Sequence, residues 1–133
     1  MIPIFHHELT ISSSAIDVNG HVNNVMYVQW MQDAAIAHSN SVGDTLTRQQ
    51  DAGVMWVARS HHIDYLRQSF EQDVIVIETW AESFRKTSSL RQYRFLRKSD
   101  NTLLAKANTM WVYLHKETGR PVAIEEAIMK LYM

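Results

Sequence analysis

The sequence contains no cysteine. This excludes a disulfide framework, a thiol nucleophile and a thiolate metal site, and it fits a reducing compartment. Proline is scarce: Pro3 and Pro121 are the only two, and both lie near the ends. The interior therefore escapes the strongest breaker of helices and ladders. No charge of one sign dominates, since 13 Lys and Arg face 14 Asp and Glu for a net charge of −1. The basic excess of a nonspecific nucleic-acid binder is missing. No apolar run approaches the roughly 20 residues of a membrane span. The opening "MIPIFHHELTI" has neither the basic start nor the unbroken apolar stretch of a secretory signal. These absences lead to the expectation of a soluble, cytoplasmic protein with no membrane or nucleic-acid partner. Linkers, low-complexity tracts and internal repeats are also absent. The 133 residues suit one domain over 1–133 that can bury a core without staples.

What is present begins with periodicity. Residues from about Ile4 to Ser12 read as a first strand, followed by a loop to Gly20. From Asn23 or Asn24 to about Ser41 the pattern is helical. Val28, Met31 and Ala35 share one face, and Tyr27, Trp30, Ala34 and Ala37 widen it. An arc that wide predicts a helix buried on most sides, with Gly43 as its stop. After a polar stretch from Asp44 to Gly53, the chain reads as strands: Val54 to Leu66, Val74 to Phe84, Leu90 to Arg97 and Leu103 to His115. The links "SFRKTSS" and "KSDNT" are short and polar, as hairpin turns are. The tail from Ala123 to Leu131 reads as a short closing helix. Strand, long helix, then four strands joined by hairpins predicts an α+β fold with one helix on an antiparallel sheet. One helix cannot cover both faces of five strands, so a second subunit is expected to complete the burial.

The polar residues concentrate in "DVNGHVNN", Asp17 to Asn24, directly ahead of the helix. Asn, Asp and Gly dominate turns for local reasons, and Asn23 or Asn24 can cap the helix through a side-chain oxygen. An Asx-rich turn feeding a cap is therefore one complete reading. The other is catalytic. A helix N-terminus offers unpaired N–H groups and partial positive charge, which can hold an oxyanion on a carbonyl under attack. Asp17 would be the base or nucleophile, and His21 and Asn19 would orient it or a water. Acyl transfer needs those parts and no metal or other cofactor.

The run "DVNGHVNNVMYVQW" resembles the helix-entry motif of hotdog-fold thioesterases, the 4-hydroxybenzoyl-CoA thioesterase-like superfamily. It is closer still to the D-x-N-x-H-V-N-N-x-x-Y pattern of acyl-ACP thioesterases. The resemblance covers nearly the whole chain. It implies a hotdog fold: a five-stranded antiparallel sheet wrapped around one long central helix. It implies hydrolysis of acyl-CoA or acyl-ACP by a homodimer or homotetramer with sites at the subunit interface. By position, the family's carboxylate falls on Asp17, the acyl-ACP branch's Asn and His on Asn19 and His21, and the oxyanion N–H near Asn24. Tyr27 falls on the recurrent tyrosine at the helix start. In "HIDYLRQSFEQDVIV", Asp64 stands where that branch carries a Glu. Some members place an acid on the helix, where this chain has Asp33. Arg85, Lys86 and Ser88 lie in the turn that resembles the CoA-contacting region; a solvated hairpin turn is the competing reading. Arg59 and His61 are read either as pocket residues or as polar groups on a sheet face. The two "HH" pairs point to opposite faces of their strands, so neither chelates a metal alone. The four tryptophans are read as core or interface. The rival functions are a hotdog hydratase or dehydratase, and a non-catalytic acyl-thioester binder.

Overall fold

The computed structural model describes residues 2–133. Its elements run β1 (Phe5–Thr10), a single 3-10 turn (Ser13–Ala15), α1 (Val25–Val42), α2 (Leu46–Ala52), β2 (Val54–Tyr65), β3 (Val74–Phe84), β4 (Ser88–Arg97), β5 (Leu103–His115) and α3 (Glu126–Leu131). The five strands form one sheet in the order β1-β3-β4-β5-β2, and every pairing is antiparallel.

The α+β architecture and the long helix agree with the sequence reading. Two details differ. The pairs β3–β4 and β4–β5 are hairpins, but β2 and β3 are not neighbours. The chain leaves β2 at one edge of the sheet and crosses to β3, beside β1 at the other edge. Alternation of apolar residues marks a strand without naming its neighbour, which is why four strands joined in succession by hairpins were expected. The polar stretch after Gly43 also contains α2, a helix with no buried residue. Its local signals are caps: Thr45 Oγ1 accepts the Arg48 N–H, and Gly53 closes the end with φ +69°.

Helix α1 lies across the concave face of the sheet. Tyr27, Trp30, Met31, Ala34, Ala35 and His38 are buried, and the first four of them pack with Ile75 and Ile77 of β3, Tyr93 and Phe95 of β4, and Ala105 and Ala107 of β5. The alanines keep the helix close to the strands. Each large apolar side chain so buried contributes roughly 1.5–3 kcal/mol. Burial is one-sided, however: Val25 and Ile36 are 70% and 58% exposed. A second cluster closes the other end of the sheet, where Ile124, Ile128 and Tyr132 of the tail meet Val54, Ala81 and Tyr113.

Three register shifts shape the strands, one of them between Phe95 and Leu96 of β4, where Leu104 of β5 is the extra residue. The β2–β5 register shifts at Arg59, between Ala58 and Ser60, and the β3–β4 register shifts at Glu82, between Ala81 and Ser83. Each extra residue bends its strand and increases its twist, so the sheet curls around α1.

Candidate active site

The loop from Ile16 to Asn24 is a tight, self-bonded turn. Ile16 and Val22 form an isolated antiparallel bridge, the Asp17 N–H donates to the His21 carbonyl at 2.8 Å, and the Gly20 N–H donates to the Asp17 carbonyl at 3.1 Å. Gly20 sits at φ +77°, a conformation that L side chains resist. Within the turn, Asp17 Oδ1 accepts the N–H groups of Asn19 at 2.9 Å and His21 at 3.3 Å. The second carboxylate oxygen makes no hydrogen bond among the described residues. The carboxylate is thus oriented by its own loop and keeps one oxygen for another task.

The loop is tied to the helix start. The Asn23 N–H donates to the Ala15 carbonyl at 2.8 Å. Asn23 Oδ1 accepts the Val25 N–H at 3.0 Å, so Asn23 supplies the side-chain cap and Asn24 does not. The Met26 and Tyr27 N–H groups bond to the carbonyls of Asn23 and Asn24. The Asn24 N–H has no partner among the described residues, and it stands at the positive end of an 18-residue helix.

Beside that N–H is a cavity of about 640 Å³ lined by His21, Asn24, Tyr27, Tyr65, Arg67 and Phe70 among others. His21 meets Phe70 edge-on, 6.1 Å between ring centroids. Tyr65 Oη donates to the Asn24 carbonyl at 3.2 Å. Tyr27 is buried, shares a 2.8 Å hydrogen bond with Ser69, and burial pushes its hydroxyl pKa up. Asp17 does not line this cavity in the single protomer; its loop reaches the wall through His21.

The other residues singled out from the sequence lie elsewhere. Asp64 pairs across the ladder with Lys106 on the face turned away from α1, and its Oδ1 is 3.3 Å from His62 Nε2. It is not brought to the Asp17 loop. Asp33 accepts from Gln29 on the helix surface. Arg59 is the exposed bulge residue of β2. His61 faces inward, with Nδ1 2.8 Å from Thr109 Oγ1, and partial burial lowers its pKa. Arg85, Lys86 and Ser88 form the β3–β4 turn, closed by the Arg85 N–H on the Ser88 carbonyl at 2.8 Å. That turn and the Asp17 loop sit at opposite ends of β3, roughly 30 Å apart at about 3.3 Å per residue. Among the described residues no group of three or more His, Asp or Glu side chains converges as a metal site would require.

A second cavity, about 630 Å³, opens between the C-terminal half of α1, α2 and the inner face of the sheet. Its walls are largely apolar, with Ala35, Ile36, Trp56, Phe84 and Trp111 among them. A polar group seals its floor. Asp44, fully buried, receives Arg48 through Nη2 at 2.6 Å and Nε at 3.0 Å, Trp56 Nε1 at 2.9 Å and Tyr132 Oη at 2.5 Å. Arg91, 5% exposed, donates from Nη1 to His38 Nδ1 at 2.9 Å and to Thr79 Oγ1 at 3.1 Å. The Tyr132 ring lies 5.7 Å from the guanidinium carbon. Burial, reinforced by the Arg91 charge, drops the His38 pKa to about 4, so its ring is a neutral acceptor. Sequence inspection missed this group because its members are scattered over α1, α2, β2, β3, β4 and the residue after α3. The signal present was an arginine at an inward position of the alternating strand "LRQYRF".

The chain resembles proteins of known fold and chemistry at low identity. Over 136 residues it is 21% identical to oleoyl-acyl carrier protein thioesterase 2 of Arabidopsis thaliana, covering 97% of this chain and 37% of that protein. It thus spans little more than a third of that curated relative's length. A Staphylococcus aureus protein solved in complex with CoA superposes with a TM-score of 0.91 at 20% identity, over 98% of this chain and 82% of the other. The 1,4-dihydroxy-2-naphthoyl-CoA thioesterase of Synechocystis superposes with a TM-score of 0.90 at 15% identity, over 98% and 96%. These superpositions establish the hotdog fold. Residues 12–131 match the model of the thioesterase-like superfamily, and the chain belongs to that superfamily.

Proposed function

We propose that this protein hydrolyses the thioester of an acyl-CoA or acyl-ACP to a free acid and a thiol. The observation that carries this reading is the unpartnered Asn24 N–H at the head of α1, beside a cavity and next to a loop that holds Asp17 with one oxygen free. Membership of the superfamily supports it.

The chemistry follows from the parts. The Asn24 N–H and the helix dipole polarise the thioester carbonyl and take up the charge that develops on its oxygen. Asp17 accepts a proton from water as that water attacks the carbonyl carbon, or attacks it directly to form an anhydride that water then opens. His21 and Asn19 position the water and the carboxylate. The carbon–sulfur bond breaks, and the thiolate takes up a proton. Tyr27 holds the first turn of the helix in place from below.

A second copy of the chain completes this reading. Among the described residues strand β2 is paired only with β5, so its outer edge is a free template of N–H and C=O groups. Antiparallel joining of two β2 edges about a two-fold axis makes one continuous sheet. It brings the Tyr65 end of one copy beside the Trp56 end of the other. The helix opening of each protomer then adjoins the apolar cavity of its neighbour, which becomes the chamber for the acyl chain. The same rotation carries the Arg85–Lys86 turn to the end of the assembly where the other copy's Asp17 lies, within reach of a carrier's phosphates. Arg67, beside His21 in the first cavity, is a further cation for that task. Asp64, on the opposite face, has no part in the step.

A thiol-release screen over acyl-CoAs and acyl-ACPs of graded length tests the proposal, with Asp17→Ala run in parallel. Release that disappears in the variant is the expected result. Hydration of crotonyl-CoA without free thiol would place the protein with the hydratases. Binding without release at any chain length would make it a carrier of acyl thioesters.

A further inference from the structure

We infer that the apolar cavity takes an acyl chain ending in a carboxylate, with Arg91 as the residue that reads it. This deepens the thioester-hydrolase proposal by naming the substrate class: the monothioester of an α,ω-dicarboxylic acid.

The argument starts from a charge imbalance. Arg91 is 5% exposed and lines the cavity. Its hydrogen bonds all leave from Nη1, to His38 and Thr79. Nε and Nη2 donate to nothing among the described residues. Neither belongs to the fully enclosed polar atoms that lack a partner, and Arg91 is one of the residues that line the cavity. A guanidinium held out of water with free donors is costly unless an anion meets it.

Among the described residues no carboxylate is hydrogen-bonded to Arg91. The carboxylate that acts on Arg91 is Asp44, but it makes no hydrogen bond to Arg91. Both its oxygens are taken by Arg48, Gln49, Trp56 and Tyr132, and its charge is matched by Arg48. His38 is an uncharged acceptor, Thr79 a hydroxyl, and Tyr132 a ring face. The floor of the cavity therefore carries one positive charge in excess.

The walls set the rest of the ligand. Ala35, Ile36, Phe84 and Trp111 share the cavity wall with Arg91. An anion reaching Arg91 past these groups is matched by an apolar stem. Free phosphate or a headgroup has none. A fatty acyl chain with a methyl end has the stem and leaves Nε and Nη2 unpaired. A chain with a terminal carboxylate satisfies both, and a planar carboxylate fits the two free donors of the guanidinium side by side.

The test compares suberyl-CoA with octanoyl-CoA, which differ only in the terminal group. In the wild type, kcat/KM for suberyl-CoA is expected to exceed that for octanoyl-CoA at least tenfold. Arg91→Met removes that preference, mainly through KM on suberyl-CoA, so that the kcat/KM values for the two substrates converge. Arg91→Gln serves if the first variant does not fold. Octanoyl-CoA cleaved as well as suberyl-CoA by the wild type, or an equal loss on both substrates in the variant, overturns the inference. Should neither thioester be cleaved, the hydrolase proposal fails and a turnover-free readout decides this one. A rise in Tm with free octanoate that exceeds the rise with 1-octanol, and that vanishes in the Arg91 variant, upholds it; equal shifts with the two overturn it.

Discussion

At the scale of single residues, Asp17 has two duties that a well-chosen substitution separates. Oδ1 braces the turn through the Asn19 and His21 N–H groups, and the free oxygen is the one assigned to chemistry. Alanine removes both. Asparagine keeps an acceptor for the two N–H groups and loses the base. Asp17→Asn is therefore expected to cut thiol release by about 10²–10⁴-fold, the usual worth of a general base. Its Tm should stay within a few degrees of wild type. Full turnover in this variant would remove Asp17 from the mechanism. A second residue-scale prediction concerns His38. Burial and Arg91 depress its folded-state pKa from 6.5 to about 4, so the unfolded chain binds the extra proton first as pH falls. The stability tied to neutral His38 is complete above about pH 6.5 and is lost progressively toward pH 4. The limit is about 3 kcal/mol at 1.36 kcal/mol per unit. His38→Asn keeps an acceptor for Arg91 and cannot titrate. The wild-type-minus-variant difference in unfolding free energy should shrink by that order between pH 7 and pH 4. A difference that is flat with pH would show that His38 takes up its proton equally in the folded and unfolded chain.

At the scale of elements, the end of α1 matters most. Gly43 adopts φ +94° with nothing within 4 Å of the position a Cβ would take. The Asp44 N–H returns to the Ser39 carbonyl at 2.9 Å, the pairing of a Schellman turn. That turn drives the Asp44 side chain into the interior. Gly43→Ala meets no clash and pays only for the left-handed backbone, so a loss of about 1 kcal/mol in urea unfolding is expected. A variant as stable as wild type would mean that the turn relaxes freely.

The same elements show what can be read from a sequence. Helix α1 was legible because Tyr27, Trp30, Met31, Ala34 and Ala35 repeat at helical spacing, and the strands because β-branched and aromatic residues alternate. Helix α2 was not, because "LTRQQDA" buries nothing and only Thr45 and Gly53 mark it. The position of β2 at the sheet edge depends on pairing with β5, forty or more residues later, which no local pattern encodes. The Asp17 loop stood out by composition. The Asp44–Arg91 group did not, since Tyr132 joins Asp44 across 88 positions and each member looks ordinary among its neighbours.

At the scale of the whole molecule, the proposed pairing through β2 makes a direct prediction. Sedimentation equilibrium should return at least twice the protomer mass at micromolar concentration. A monomer that still cleaves thioesters would remove the second copy from the site, and the acyl chain would need another chamber. The two margins of the sheet also differ in kind. β2 offers 12 residues of open backbone, whereas β1 offers six, with His6, Glu8 and Thr10 on its outer face. One border is long enough to be sealed by a like border, and the other is short and polar. Two molecules that spend their long borders on each other retain only blunt ones, so lateral growth halts after a single joining and the product is a closed pair instead of a ribbon.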